Sequence, residues 1–219
     1  MWSDEFNGDS LNRADWNVET HEKGWVNNEL QEYVDSAENI QVKDGKLIIN
    51  PVKKVTDGDT GSTKEAASYT SGRVSTQNKQ TFIYGRFECR AKVPKGQGYL
   101  PAFWLMANDE NVYGQWPRCG EIDCMEVMGQ ETNKTYGTIH YGNPHSQSQG
   151  TYTITDGADF SDDFHIFTCD WEPGKITWYV DGVKYHEESD WHSTTVGQGT
   201  LSIANHETCN CSTGNFHIC

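Results

Sequence analysis

Three carboxylates, Glu121, Asp123 and Glu126, fall within six residues whose other side chains are typical of a buried strand. In a regular strand successive side chains point to opposite faces, so Glu121 and Asp123 share a face and Glu126 faces the other way. A one-residue bulge at Cys124-Met125 would return Glu126 to the shared face, and bulges often lie next to active sites. Three like charges on an inner strand would be costly if they served only the fold. The pattern therefore favours a catalytic strand over a solvated acidic edge strand.

Two carboxylates on one face, near aromatic side chains, are what the hydrolysis of a glycosidic bond requires. One must stay ionised, the other must hold a proton near neutral pH, and a third between them can separate their pKa values. With the bulge residue discounted, the Cα atoms of Glu121 and Glu126 would lie about 13 Å apart. Side chains that lean inward along a curved strand would bring the carboxyl groups to about 5–5.5 Å, the separation of a retaining mechanism.

The elements that must position these carboxylates are strands, because no window of a dozen residues carries a convincing helical stripe of apolar side chains. Residues 83–93 alternate between apolar or small side chains at odd positions and largely polar ones at even positions, which predicts a half-buried strand. Asp44-Gly45 and Asp181-Gly182 each separate two apolar runs, as in tight hairpins. Many short strands with glycine-rich turns predict one all-β domain, an antiparallel β-sandwich or barrel. Further strands are predicted at 71–76, 102–106, 121–127, 136–141 and 165–170, and a polar loop at 53–68.

Composition narrows the classes of partner. The chain has 219 residues and a net charge of −15, from 17 basic and 32 acidic side chains. A chain this acidic repels phosphate, which argues against nucleic acid and anionic membranes as partners. Only 35% of the residues are hydrophobic, but eight Trp, ten Tyr and eight Phe supply enough buried area for a core. The longest uncharged apolar run, residues 98–107, is far shorter than the roughly 20 residues that cross a bilayer.

The segment Glu121-Ile122-Asp123-Cys124-Met125-Glu126 resembles the E-x-D-x-x-E signature of glycoside hydrolase family 16. It has the bulged form typical of laminarinases, which are endo-β-1,3-glucanases, whereas lichenases usually carry the shorter E-x-D-x-E form. Supporting segments that resemble the same subgroup follow in the family's order, at 2–8, 27–33, 71–74, 101–105, 116–117 and 137–141. The resemblance covers roughly residues 1–191. Several linked motifs in order are more specific than one short signature.

The resemblance implies a concanavalin-like jelly roll, an antiparallel β-sandwich with a concave substrate cleft, as a single catalytic domain over residues 1–219. It implies that Glu121 is the nucleophile, Asp123 the assisting carboxylate and Glu126 the acid/base of a double displacement. The substrate would be β-1,3-glucan or mixed-linkage β-1,3-1,4-glucan. The positions that match substrate-binding residues are Asn28, Arg73, Trp104, Trp116 and His140. The alternatives are core packing for each Trp and for the histidine, a turn-capping role for the asparagine, and a surface position for the arginine.

The resemblance implies no required cofactor, but it does imply a structural calcium ion on the convex side. Glu5 and the carbonyl of Gly45 match two of its ligands, and oxygen donors of this kind suit a hard cation. The usual third ligand, an Asp in the last strand, has no match in this sequence. The resemblance also implies a secreted, extracellular protein. The first six residues show neither the basic nor the apolar region of a signal peptide, so we expect that a signal was removed, with a cytosolic protein as the alternative.

From about residue 192 the sequence departs from the family pattern. Residues 198–219 are rich in Gly, Ser, Thr, Asn and Cys, and a sandwich that lacks its last strands would keep an unpaired edge. We therefore expect a truncated or altered C-terminus and a homodimer through the open C-terminal edge, against a monomer whose tail folds back. Seven cysteines are an odd number, so at least one is unpaired or pairs between chains.

Two other interpretations stay open. A non-catalytic carbohydrate-binding module or lectin would share the aromatic residues and the fold but would not need Glu121 and Glu126 together. A family member could instead act on another polysaccharide such as agarose, carrageenan or xyloglucan, and the bulged signature argues against xyloglucan enzymes and typical lichenases.

Overall fold

The computed structural model describes residues 1–54, 68–195, 199–202 and 214–218. Most of the predicted polar loop at 53–68 and most of the cysteine-rich tail lie outside these residues. Within the described part, strands dominate, and the single α-helix is α1 (Glu110–Tyr113). None of the described helices is long and apolar enough to span a membrane. The chain divides into two compact units, residues 1–79 and residues 80–218. The prediction of a single domain stays a prediction.

The described residues of the first unit form seven short strands. They are β1 (Asn17–Val18), β2 (Gln31–Tyr33), β3 (Ile40–Val42), β4 (Leu47–Ile49), β5 (Val52–Lys54), β6 (Ser68–Ser71) and β7 (Val74–Ser75). β1 pairs with β7, β6 lies between β2 and β5, and β3 pairs with β4. The predicted hairpin between β3 and β4 is confirmed, because Asp44 and Gly45 both have positive φ, 53° and 68°, as a two-residue turn requires.

The second unit contains two larger antiparallel sheets. One is made of β9 (Ala102–Ala107), β10 (Glu121–Glu126), β11 (Lys134–Tyr141), β12 (Ser146–Thr153) and β18 (Gly214–Ile218), in the order β18-β9-β10-β11-β12. The other is made of β8 (Gly85–Ala91), β13 (His165–Glu172), β14 (Lys175–Val180) and β15 (Val183–Glu188), in the order β15-β14-β13-β8. The short pair β16 (His192–Thr195) and β17 (Gly199–Ser202) forms a separate two-stranded sheet. The all-β architecture is as predicted.

Apolar side chains from both sheets form the core of the second unit. Leu105, Ile139, Phe167, Ile176 and Trp178 are each at most 2% exposed. In β8 the buried residue is Phe87, and the arginines at the even positions are exposed, so the predicted alternation is confirmed over the length of β8. It is wrong at Ile83, which precedes the strand and is 52% exposed. The second predicted hairpin turn is also confirmed, since Asp181 and Gly182 have φ of 49° and 79°.

Two glycines let a large aromatic ring approach β11 and β12. Gly137 and Gly150 lie directly opposite each other across these strands. A Cβ on Gly137 would lie 2.5 Å from Trp178, and one on Gly150 would lie 2.3 Å from His186. Trp178 and His186 stack on each other with ring centroids 4.7 Å apart. The missing side chains therefore make room for this stacked pair between the sheets.

The tail contributes strands that the sequence analysis did not expect. Gly214–Ile218 runs antiparallel to β9, with Gly214 opposite Ala107 and Ile218 opposite Phe103. The prediction of an open edge is therefore wrong along β9. Strand pairing uses backbone groups, so part of a tail that is rich in small and polar residues can still complete a sheet. The homodimer itself stays a prediction, without this edge as its basis.

Candidate active site

The acidic segment forms β10, which lies between β9 and β11 in its sheet. Asp123 lies opposite Trp104 and Glu126 lies opposite Ala102, so three steps along β10 match two steps along β9. The register against β11 shifts in the same interval. One extra residue is therefore inserted between Asp123 and Glu126, which returns Glu126 to the face of the other two carboxylates. The predicted bulge is confirmed.

The register also shows which predicted residues share that face. Residues directly opposite on paired strands point to the same side of a sheet. Glu121 lies opposite His140 on β11, and Asp123 lies opposite Trp104 on β9. The structure therefore brings the three carboxylates together with His140 and Trp104. The other face of β10 carries apolar side chains that belong to the core, including the buried Ile122.

Asp123 is the most enclosed of the three carboxylates, at 3% exposure. Its side chain hydrogen-bonds to that of Glu121. Its Oδ2 atom lies 3.2 Å from Nε2 of His140, yet it makes no hydrogen bond. On the core side, Nε1 of Trp178 donates a hydrogen bond of 2.9 Å to the backbone carbonyl of Asp123. Asp123 is thus held at the backbone, while one carboxylate oxygen is buried and still able to accept.

Burial raises the pKa values of all three carboxylates. For Glu121, burial and then the charge of Asp123 raise the pKa to about 8. Burial, followed by the charge of Glu126, raises the pKa of Asp123, and burial, followed by the charge of Glu121, raises that of Glu126. At neutral pH the cluster therefore retains protons that isolated carboxylates would lose. A set of carboxylates that holds both a proton and a negative charge can do acid/base and nucleophilic chemistry together.

An exposed indole lies beside this cluster. Trp116 is 45% exposed, and its side chain hydrogen-bonds to Glu121, which lowers the pKa of that carboxylate against the larger effect of burial. The loop that carries Trp116 is anchored to α1, because the Trp116 backbone N–H donates to Oε1 of Glu110 at 2.8 Å. The predicted position beside a ligand fits this exposure. The hydrogen bond to Glu121 was not predicted.

His145 is a residue of this site that the sequence analysis missed. It is exposed in the turn between β11 and β12, and its Nε2 lies 3.0 Å from Nδ1 of His140. The two rings stack with centroids 5.2 Å apart, and the ring of Trp116 lies 5.0 Å from that of His145. Because the hairpin folds back after Tyr141, residues five apart return to the same edge. A predicted turn after Tyr141 would have indicated that His145 lies near His140.

The other two predicted substrate-binding residues belong to the first unit. Arg73 is 7% exposed, its Nε donates to Oε2 of Glu19 at 2.6 Å, and its guanidinium lies 5.0 Å from the ring centroid of Trp25. His21 stacks on Trp25 with centroids 3.5 Å apart. The surface alternative for Arg73 is therefore wrong. Asn28 is exposed in a turn with φ of 54°.

The two predicted calcium ligands come close to each other in the first unit. A Cβ built on Gly45 would lie 3.9 Å from the backbone oxygen of Glu5 and 3.9 Å from Oδ1 of Asn7. Backbone carbonyls and an amide oxygen are ligands that Ca²⁺ accepts. The residues present therefore fit part of a calcium site. The described part of the last strand, Gly214–Ile218, contains no Asp that could supply the third ligand.

Comparison with known proteins agrees with the geometry. The family model described as Glycosyl hydrolases family 16 matches residues 31–200. The chain is 40% identical over 209 residues to glucan endo-1,3-beta-glucosidase A1 of Niallia circulans, which covers 89% of this chain and 30% of that protein. It is 43% identical over 192 residues to glucan endo-1,3-beta-glucosidase of Cryptopygus antarcticus, which covers 86% of this chain and 68% of that protein. The chain thus spans less than a third of the first relative and about two thirds of the second.

A solved structure gives the same result for the fold. The laminarinase from Rhodothermus marinus superposes with a TM-score of 0.80 at 30% identity, over 100% of this chain and 83% of that one. The predicted jelly-roll fold and the family resemblance are confirmed by these matches.

Proposed function

Because the chain belongs to glycosyl hydrolase family 16, we propose that it is a retaining endo-hydrolase that cleaves β-1,3-glucan or mixed-linkage β-1,3-1,4-glucan. The observation that carries the proposal is the bulge in β10, which places Glu121, Asp123 and Glu126 on one face of the sheet. The relatives named as glucan endo-1,3-beta-glucosidases support the choice of substrate.

In the first step the carboxylate of Glu121 attacks the anomeric carbon, and the bond from that carbon to the leaving oxygen breaks. Glu126 donates its proton to this oxygen, which departs as a sugar hydroxyl. The raised pKa of Glu126 suits this role, because the side chain keeps a proton at a pH where an ordinary glutamate is ionised. The product is a covalent glycosyl ester of Glu121 with inverted configuration.

In the second step the ionised Glu126 takes a proton from water, and the water oxygen attacks the same carbon. The ester bond breaks, Glu121 recovers its charge, and the second inversion restores the original configuration. No room for an extra water between the two carboxyl groups is needed, since one of them is the nucleophile.

Asp123 lies between the other two carboxylates and assists by exchanging a proton with Glu121. Its hydrogen bond to Glu121 lets the pair share one proton, so that Glu121 is the anion when Asp123 holds the proton. His140 borders the same oxygen of Asp123, and Trp104 lies opposite Asp123 on β9. The exposed face of Trp116 offers a surface on which the apolar face of a sugar ring can stack.

Three finer features belong to the same proposal. The protein is secreted, as a polymeric extracellular substrate requires. A structural calcium ion is bound by oxygen atoms near Glu5 and Gly45 and takes no part in the chemistry. A homodimer is a further proposal, supported by the odd number of cysteines in the sequence and not by an open edge.

The proposal is tested by incubating the protein with laminarin, lichenan and agarose and sizing the products over time. We expect mixed oligosaccharides from laminarin early in the reaction. Proton NMR of the first product should show the β-anomer, because two inversions retain the configuration of the β-linked substrate. An initial α-anomer would contradict the mechanism. Glu121→Gln separates an enzyme from a lectin, because binding of laminarin should persist in this variant while hydrolysis stops.

A further inference from the structure

Glu121, Asp123 and His140 form a compact donor set on the face of β10 and β11. One ligand atom from each of them lies within 4.8 Å of the others. Glu121 and Asp123 each offer a carboxylate oxygen, and His140 offers an imidazole nitrogen. A set of two carboxylates and one imidazole on adjacent strands is chemically suited to a transition-metal dication.

The spacing within this set is compatible with two ligands of one metal ion. Zinc binds His nitrogen and carboxylate oxygen at about 2.0–2.2 Å, so tetrahedral neighbours lie about 3.3–3.5 Å apart. Nε2 of His140 and Oδ2 of Asp123 are 3.2 Å apart. Oδ2 is buried and makes no hydrogen bond, in a residue that is 3% exposed. Asp123 therefore offers a buried carboxylate oxygen, next to the histidine nitrogen, that can act as a metal ligand.

The surroundings of the donor set are those of a metal site. A metal-binding histidine usually has its other ring nitrogen hydrogen-bonded, which fixes the ring. Nδ1 of His140 lies 3.0 Å from Nε2 of His145, and the Asp123 backbone is held by Trp178. Glu126 adds a third carboxylate to the same face, so a dication would relieve repulsion between like charges.

We propose that Glu121, Asp123 and His140 bind a dication of the zinc and copper class, and that the bound ion blocks catalysis. Any proton carried by these ligands is released to solvent when the ion binds. Glu121 is then a metal ligand and is no longer free to attack an anomeric carbon. The imidazole ligand selects Zn²⁺ and Cu²⁺ over Mg²⁺ and Ca²⁺, which prefer oxygen ligands. His145 acts as a positioning residue for His140.

The test is calorimetric titration of the resting protein with ZnCl₂, with MgCl₂ as the control ion. It is done in a background of Cys209→Ser, Cys211→Ser and Cys219→Ser, so that tail thiols do not bind the metal. We expect one zinc site per chain and no magnesium site. His140→Gln should abolish it, and His145→Phe should weaken zinc binding about tenfold, as loss of an outer partner does. His165→Gln is the matched control, because His165 lies on β13 of the other sheet and pairs with Asp181 at 2.7 Å.

Competition with sugar provides an independent measurement. In Glu126→Gln, which should bind but not turn over, saturating laminaritetraose should lower the affinity for zinc at least tenfold. Zinc binding that survives His140→Gln, or that the sugar leaves unchanged, would overturn the proposal, as would the absence of any zinc site. If His140→Gln does not fold by circular dichroism, Asp123→Asn gives the same reading. A protein that binds zinc here but does not cleave laminarin would refute the proposed function and leave this site standing.

Discussion

The indole of Trp178 and the backbone of Asp123 are joined by a buried hydrogen bond of 2.9 Å that links the two sheets of the second unit. Trp178 is fully buried, and its ring lies in the space left by Gly137. The acceptor is the carbonyl of the residue at which the bulge begins. The opposite sheet therefore helps to fix the geometry of the proposed catalytic strand.

Trp178→Phe should remove this hydrogen bond while keeping an aromatic ring in the core. We expect a loss of about 1–3 kcal/mol in the free energy of unfolding, because a buried carbonyl loses its donor. The turnover number on laminarin should fall, with little change in KM. Trp171→Phe is the matched control, since Nε1 of Trp171 is buried without a hydrogen bond. If both variants lose turnover equally, Trp178 acts only through packing.

The proposed roles of Glu121 and Asp123 predict unequal losses. Glu121→Ala removes the nucleophile and should abolish turnover on laminarin. Asp123→Asn should lower turnover by about 10²–10⁴-fold and change the pH profile, because the assisting group no longer titrates. Initial rates across pH, with circular dichroism to verify folding, are the measurement. Equal and complete losses in both variants would argue against separate roles.

Gly137→Ala should destabilise the second unit, because its Cβ would lie 2.4 Å from the hydroxyl oxygen of Tyr185 and 2.5 Å from Trp178. Overpacking of this kind costs about 1–3 kcal/mol. Gly8→Ala is the control, because its nearest neighbour would be 3.5 Å away. Urea unfolding of both variants measures the difference. A Gly137→Ala variant as stable as the parent protein would show that the ring of Trp178 moves freely.

Stability should depend on pH through Asp159. The ammonium of Lys95 lies 2.5 Å from its carboxylate, and this hydrogen bond, with those from Ser161, holds the pKa of Asp159 well below its usual value. A lowered pKa in the folded state stabilises the protein above the unfolded pKa of about 3.9, and this stabilisation is lost as pH falls further. Asp159→Asn should therefore unfold more easily than the parent protein at about pH 7, and the difference should shrink towards about pH 3. A difference that is constant with pH would exclude the charge as its cause.

The bulge, the hairpins and the face of the carboxylates could be predicted because each depends on local spacing. Parity along a strand places Glu121 and Asp123 together, and Asp-Gly pairs adopt the positive φ of tight turns. β12 could not be predicted in this way. Its sequence Ser-Gln-Ser-Gln-Gly-Thr-Tyr-Thr has no apolar alternation, yet it pairs with β11 over all eight residues. This segment is a strand because its backbone pairs with that of β11, and its own sequence carries no signal of that pairing.

The residues of the site also divide into those that local spacing predicts and those that it does not. The three carboxylates, Trp104 and His140 are joined by register, which follows once the strand order is known. His145 reaches the site because a turn brings it next to His140. Trp178 contacts the site from the other sheet, and in the sequence it cannot be told from the other buried tryptophans. Contacts between elements that are far apart in the chain have no signal in local periodicity. They depend on the packing of the two sheets.

The inserted residue in β10 has a consequence for how this strand tolerates changes of length. In the shorter form E-x-D-x-E, without a bulge, the last glutamate already has the parity of the other two carboxylates. Deleting Cys124 would therefore leave all three acidic groups on the same side, whereas deleting Ile122 would turn Glu121 towards the core. The bulge is a place where the chain can gain or lose one residue without inverting the strand. Length variation at this point leaves the orientation of the acidic groups intact.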